Sequence, residues 1–370
     1  MRKCFFLLII TNHLIFSYSA DAQFAMQNVG GRNKTSLNGE WEIIIDPANI
    51  GTWRQVWKEP LIQNDFQFFE YSFDGAPVLK VPGDFNSQKC ELLFYESVVW
   101  YKKQFDLKPE KGKRYFICFG AVNYLAKVYL NEMEIGSHEG GFTPFQFEIT
   151  DIVKSGINNL VVWVNSQRKG NGIPGEGYDW FNYGGITRDV NLISTPDVYI
   201  HDYFIQLKKG SLNEVDGWVK LEGNGQKQVV TVSLPELKKS FRFISDTSGY
   251  AEVKFIADFQ LWSPENPKLY QIIIQNETDK ILDQIGFRSI NVEGNKIILN
   301  NKPVFLKSVN IHEENPFTRS RAVNASDCKL LLDWAKELGC NMVRLAHYPH
   351  NEIMVRMAEE MGFMIWSEIP

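Results

Sequence analysis

The chain has 370 residues, of which 44% are hydrophobic and 14% aromatic, and it carries a formal net charge of −5. That length holds two or three domains with sizeable cores, and the acidic balance excludes the electrostatic footprint of a protein that binds nucleic acid or an anionic membrane. Cys90, Cys118, Cys328 and Cys340 show no C-x-x-C spacing, which argues against a disulfide framework and against a structural zinc site.

Residues 1–22 read as a secretory signal. Arg2 and Lys3 form a positive start, an apolar stretch runs over 5–16, and Ala20-Asp21-Ala22 is an A-x-A cleavage site. A secreted or periplasmic protein is the expectation, with an uncleaved N-terminal anchor as the alternative. The apolar stretch is shorter than the usual membrane span, and no other segment is a candidate span.

Residues 23–196 read as all-β. Short alternating runs at 40–45, 98–105, 126–130 and 159–164 lie between Gly, Pro and Asn turns, the rhythm of a jelly-roll β-sandwich. Most of the aromatic residues serve strand cores in such a fold, and stacking on sugars is their other use. Residues 197–288 repeat the pattern on a smaller scale, with candidate strands at 218–221, 229–234, 251–255 and 270–274. This second unit fits an immunoglobulin-like β-sandwich.

Over 289–370 the rhythm becomes β-α-β-α-β, which means a parallel sheet. Strands are predicted at 304–309, 341–345 and 363–366, as the first three strands of an incomplete (β/α)8 TIM barrel. Ser326 is the predicted N-cap of the first helix and Gly339 its C′ residue, with Leu330, Leu331, Trp334, Ala335 and Leu338 as the apolar stripe. A second helix is predicted at 352–361. The strands run into Asn310, His312, Glu313 and Glu314, then His347 and His350, then Glu368. Barrel chemistry sits at those strand ends. The fold class is therefore multidomain β plus α/β: jelly roll, small sandwich, partial barrel.

Several segments together carry a family likeness. They are Leu37-Asn38-Gly39-Glu40-Trp41, Val81-Pro82-Gly83-Asp84, His138-Glu139-Gly140-Gly141-Phe142, Asp179-Trp180-Phe181-Asn182-Tyr183-Gly184-Gly185, Leu261-Trp262-Ser263-Pro264, Gly286-Phe287-Arg288 and Val343-Arg344-Leu345-Ala346-His347-Tyr348-Pro349. In this order they resemble glycoside hydrolase family 2, which includes β-galactosidases and β-glucuronidases. Segments 138–145 and 179–186 look most like the β-glucuronidase branch.

The resemblance implies a retaining β-glycosidase of carbohydrate catabolism. It implies that His312 and His347 hydrogen-bond the sugar, as imidazole can. A glycine-rich loop over 172–189 would reach the barrel mouth, where Asp179 (glucuronidase-like) or Asp189 (galactosidase-like) touches substrate. Either aspartate also fits an Asx turn or a partner for Arg188. Arg344 is implied near the catalytic carboxylates, or it pairs with Glu368 alone. Glu368 is read as a site-shaping residue, and its neighbour Ser367 departs from the usual acidic residue of the family.

Retaining hydrolysis needs two carboxyl groups about 5–5.5 Å apart. The resemblance implies an acid/base that follows an Asn at the end of barrel strand four and a nucleophile that ends strand seven. The Asn-Glu pairs at 131–132, 213–214 and 276–277 lie in turn-like contexts of the β domains, and the pair at 351–352 opens a helix, so none ends a barrel strand after the third. No catalytic residue is therefore assigned in this chain; acid/base and nucleophile are expected beyond Pro370, and residues 1–370 alone are expected to be inactive. Expected partners are a carbohydrate substrate and either a second copy or a complementing C-terminal fragment. No metal is expected, and no cofactor, since neither G-x-G-x-x-G nor a P-loop is present. The rival reading is a non-catalytic carbohydrate-binding or assembly module.

Overall fold

The computed structural model describes residues 22–58, 71–178, 180–223 and 227–369. The signal-like segment, Ala22 excepted, and Asp179 lie outside the described residues. No helix among the described residues is long and apolar enough to cross a membrane.

The first unit is a two-sheet sandwich. One sheet has the strand order Val78–Val81, Gly39–Asp46, Val98–Leu107, Gly156–Asn165, Leu125–Leu130, Met133–Glu139. The other runs Gln23–Phe24, Phe145–Glu148, Lys113–Phe119, Val190–Pro196, Lys34–Ser36. Side chains alternate across a strand, so Leu160, Val162 and Val164 enter the main core while Val161 and Trp163 face the opposite side. There they meet Trp100, Tyr129 and the partly buried Trp57 in a second apolar cluster. Cover on both faces explains why these central strands read as nearly unbroken apolar runs.

The second sandwich packs a three-stranded sheet (Tyr199–Leu207, Glu214–Glu222, Tyr250–Ile256) on a four-stranded one (Lys239–Ile244, Val229–Leu234, Tyr270–Gln275, Lys280–Ile285). Burial alternates strictly along Tyr250–Ile256 and Glu214–Glu222, as half-buried antiparallel strands require.

The third unit corrects three expectations. Residues 304–309 do not form one strand. Lys302–Val304 closes an antiparallel sheet with Lys296–Leu299 and Ile290–Glu293, and the first barrel strand is Ser308–Ile311. The cause is the two-residue turn at Asn300 and Asn301, both at positive φ (51° and 62°), the geometry that a tight hairpin demands. The helix Ala325–Glu337 is capped by Asn324, which accepts from the Asp327 N–H, and not by Ser326, whose hydroxyl donates to Asn324. Its buried face is Cys328, Leu332 and Ala335, at spacings of four and three. Trp334 and Leu338 of the expected stripe are exposed, and Trp334 packs edge-on to Phe317 instead.

Gly339 ends that helix at φ 71°. Strand Met342–Leu345 then pairs parallel with Ser308–Ile311, and Met364–Ser367 parallel with Met342–Leu345, in the order one, two, three. Helix Glu352–Glu360, capped by Asn351, lies between the last two in sequence. Val309, Ile311, Val343, Leu345 and Ile365 point to the helices and share a core with Leu332, Met354 and Phe363. Strand alternation therefore sends Asn310, Arg344 and Trp366, which are register partners, to the other face.

Candidate functional site

That other face opens into a cleft of about 590 Å³ lined by Tyr178, Trp180, His347, Trp366, Ser367, Glu368 and Ile369. Two elements build it: the ends of barrel strands two and three, and the glycine-rich loop of the first sandwich. Trp180 stacks over His347 at 5.4 Å and 28°. His312, just past strand one, meets the His347 ring edge-on at 5.2 Å. Tyr178 stands edge-on to Trp180 at 4.5 Å. The two histidines thus come together beneath one indole, with Tyr348 at 6.1 Å from both His312 and Trp180.

The polar centre is a triangle. Glu368 Oε1 accepts from Arg344 Nε at 2.8 Å and lies 2.6 Å from Nη2, and Oε2 is 3.2 Å from His347 Nδ1. Hydrogen bonds from Arg344 hold the Glu368 carboxyl below the usual carboxylate range, against a smaller opposing effect of desolvation. Glu368 is therefore a carboxylate at neutral pH, an acceptor and not a general acid. The Glu368 contact is shorter than the 3.4 Å from His347 Nδ1 to Arg344 Nη2. A hydrogen on Nδ1 is therefore directed at that carboxylate. His312 Nδ1 lies 3.8 Å from Glu314 Oε1.

Asp189 takes another place. Its carboxylate accepts from Asn38 Nδ2 at 2.9 Å and its carbonyl from the Gly120 N–H, both inside the first sandwich. Asp179 lies outside the described residues. Arg188 pairs not with Asp189 but with Glu313.

Glu313, which the sequence placed after strand one without a role, is the centre of a buried cluster. It is 1% exposed and directly follows His312. Its oxygens accept from Arg188 Nη2 (3.0 Å), Arg321 Nη2 (2.8 Å) and the Asn351 N–H. Burial alone would raise its carboxyl, but the charges of Arg188 and Arg321 outweigh burial and hold it below its ordinary value. Arg321 also donates to the Tyr348 hydroxyl at 2.8 Å, and Arg188 to the carbonyls of Phe142 and Pro349. Phe142 and Tyr348 stack at 4.1 Å and 8°, with the Arg321 guanidinium over both. Nearby, His350 Nε2 contacts the Ala346 carbonyl at 3.0 Å, and burial pushes its imidazole down to about 4. The signal in the sequence was the acid between His312 and Glu314; nothing local named its partners.

Among the described residues, no group of three or more His, Cys, Asp or Glu side chains is placed to hold a metal ion. An aromatic wall and a few fixed polar groups can contact a small polar molecule by stacking and hydrogen bonding.

Family models match along the chain in order. They are glycosyl hydrolases family 2, sugar binding domain, over 34–196; glycosyl hydrolases family 2 over 198–288; and glycosyl hydrolases family 2, TIM barrel domain, over 290–370. A putative β-glucuronidase of Formosa agariphila is 30% identical over 286 residues, which is 73% of this chain and 35% of that protein. A β-glucuronidase of Streptococcus agalactiae is 27% identical, covering 92% of this chain and 57% of its own length. A β-galactosidase of Thermoanaerobacter pseudethanolicus is 28% identical, with 92% and 47% covered. Among solved structures, a β-glucuronidase of an uncultured Clostridium superposes with a TM-score of 0.79 at 26% identity, over 95% of this chain and 61% of that one. The Ruminococcus gnavus β-glucuronidase in complex with D-glucuronic acid superposes with a TM-score of 0.78 at 28% identity, over 94% and 62%. The chain thus spans from about a third to three fifths of the length of these relatives.

Proposed function

The chain belongs to glycoside hydrolase family 2, and from that premise we propose that it supplies the sugar-gripping side of a retaining β-glycosidase acting on β-glucuronides or β-galactosides. His312 and His347 bind sugar hydroxyls, Trp180 packs against the ring, and Arg344 and Glu368 shape the floor. The glycine-rich loop adds Asp179 from the first domain, whereas the Asn38 bond keeps Asp189 a support of that loop's far end. The observation that carries this reading is the pair of strand-end histidines brought under Trp180 beside one Arg-bound carboxylate.

Residues 1–370 bind but do not turn over. Glu368 is the one carboxylate among the described residues lining the cleft, it is committed to Arg344 and His347, and the retaining reaction needs two carboxyl groups in separate roles. The intact enzyme is secreted or periplasmic in this reading. Titration of the chain with methyl β-D-glucuronide and methyl β-D-galactoside tests it. Saturable binding of one of them, lost in Trp180→Ala, is the expected result. Robust hydrolysis of aryl β-glucuronides or β-galactosides by these residues alone would remove the claim that the chemistry lies elsewhere.

A further inference from the structure

We propose that Glu313 is a positioning residue, which sets the geometry of His312 and His347 by tying both to Arg188 of the first sandwich. The inference rests on the reading of those histidines as the sugar-binding pair. Glu313 sits one residue past His312, and Tyr348 one residue past His347. Arg321 bonds Glu313 and Tyr348 at once, at 2.8 Å each. Arg188 bonds Glu313 and the Pro349 carbonyl at once, through the same Nη2. Each guanidinium therefore bridges the segment behind one histidine to the segment behind the other. The Asn351 N–H on Glu313 adds a third tie between the two.

Every part of this bridge is withdrawn from water. Glu313 is 1% exposed, Arg188 5% and Arg321 4%. A buried ion group of this kind contributes little net stability, since desolvation offsets attraction, but its directional bonds hold geometry tightly. The direct support of the cleft does not explain the group: neither Glu313 nor Arg188 lines the cleft. Its reach does explain it. Arg188 Nη1 also holds the Phe142 carbonyl, so the strut is anchored in the first sandwich, across 125 residues of sequence from Glu313. A lysine at 188 keeps the charge, but its donors radiate from one nitrogen and do not reproduce the planar fork that reaches Phe142 from Nη1 and Glu313 and Pro349 from Nη2.

The test follows the ring Cε1–H signals of the histidines by NMR in the full chain, assigned by single His→Gln variants. In Arg188→Lys and Glu313→Gln the His312 and His347 signals shift by more than their linewidth, while those of His138 and His201 stay. Arg288→Lys is the control, because Arg288 pairs with Glu359 at a different domain junction, and it moves neither cleft histidine. Methyl β-glycoside affinity falls about tenfold in Arg188→Lys, the size of coupling that contacting residues show. Should Glu313→Gln not fold, Arg188→Lys decides alone. Unmoved His312 and His347 signals in a folded Arg188→Lys chain overturn the proposal, as does an equal shift in Arg288→Lys. If the wild type binds no glycoside, the sugar-site reading fails while the histidine signals still judge the strut.

Discussion

Arg344 and Glu368 share one interaction with two consequences. The guanidinium holds the carboxyl below its ordinary range, so the His347 anchor persists through neutral and mildly acidic pH. The group is depressed when folded, so its contribution is present above the ordinary carboxylate value and is lost as pH falls through the folded value. Arg344→Met returns the Glu368 carboxyl upward toward that ordinary value, as a carboxyl ¹³C titration will read. His350 acts in the same sense, from a different cause. Burial lowers it to about 4 from an unfolded value near 6.5, so between those limits the unfolded chain binds the extra proton. Stability therefore falls by about 2 kcal/mol from pH 7 to pH 5. Urea unfolding midpoints at the two pH values, compared with His350→Gln, measure this, and the variant loses that part of the slope. At this scale the sequence located His312, His347, Arg344 and Glu368 at or beside barrel strand ends, and the structure brings them together at one face. The sequence did not reveal the Glu313 partners, because Arg188 lies 125 residues away and pairing is decided by tertiary packing.

A helix start was misread for a physical reason. Asn324 and Ser326 both belong to the cap-forming types, and the side chains bond each other, but only Asn324 accepts from a backbone N–H. Asn324→Ala costs about 1 kcal/mol and Ser326→Ala much less, measurable as a difference in urea midpoint. Short barrel strands were found by their apolar runs, and strands two and three fell within a residue or two of the prediction. Strand one did not, because Val304-Phe305-Leu306 looks apolar while the Asn300-Asn301 turn commits residues 302–304 to an antiparallel partner. Apolar content alone could not reveal that turn's hand.

Domain order was legible from rhythm: long alternating runs, shorter ones, then strands alternating with helices. The joints between domains were not. A second joint runs from Asn28 in the first sandwich through Tyr203 and Asp283 in the second to Arg356 in the barrel helix. Asp283 is 7% exposed and Arg356 37%, so the pair is partly screened. Asp283→Asn is expected to cost about 1–3 kcal/mol. In calorimetry it should separate the melting of the second sandwich from that of its neighbours.

The placement of Arg188 bears on how such a protein can be rebuilt from parts. Its donor is a sandwich, its acceptor a barrel, and the ligand-facing rings lie on both sides of that seam. A sandwich borrowed from a relative would seat on this barrel by shape, yet leave Glu313 buried beside one guanidinium instead of two unless an arginine arrived at the same point. Recombination across residue 196 is thus permitted in pairs only, and a chimera joined there should be judged first by what it carries at position 188.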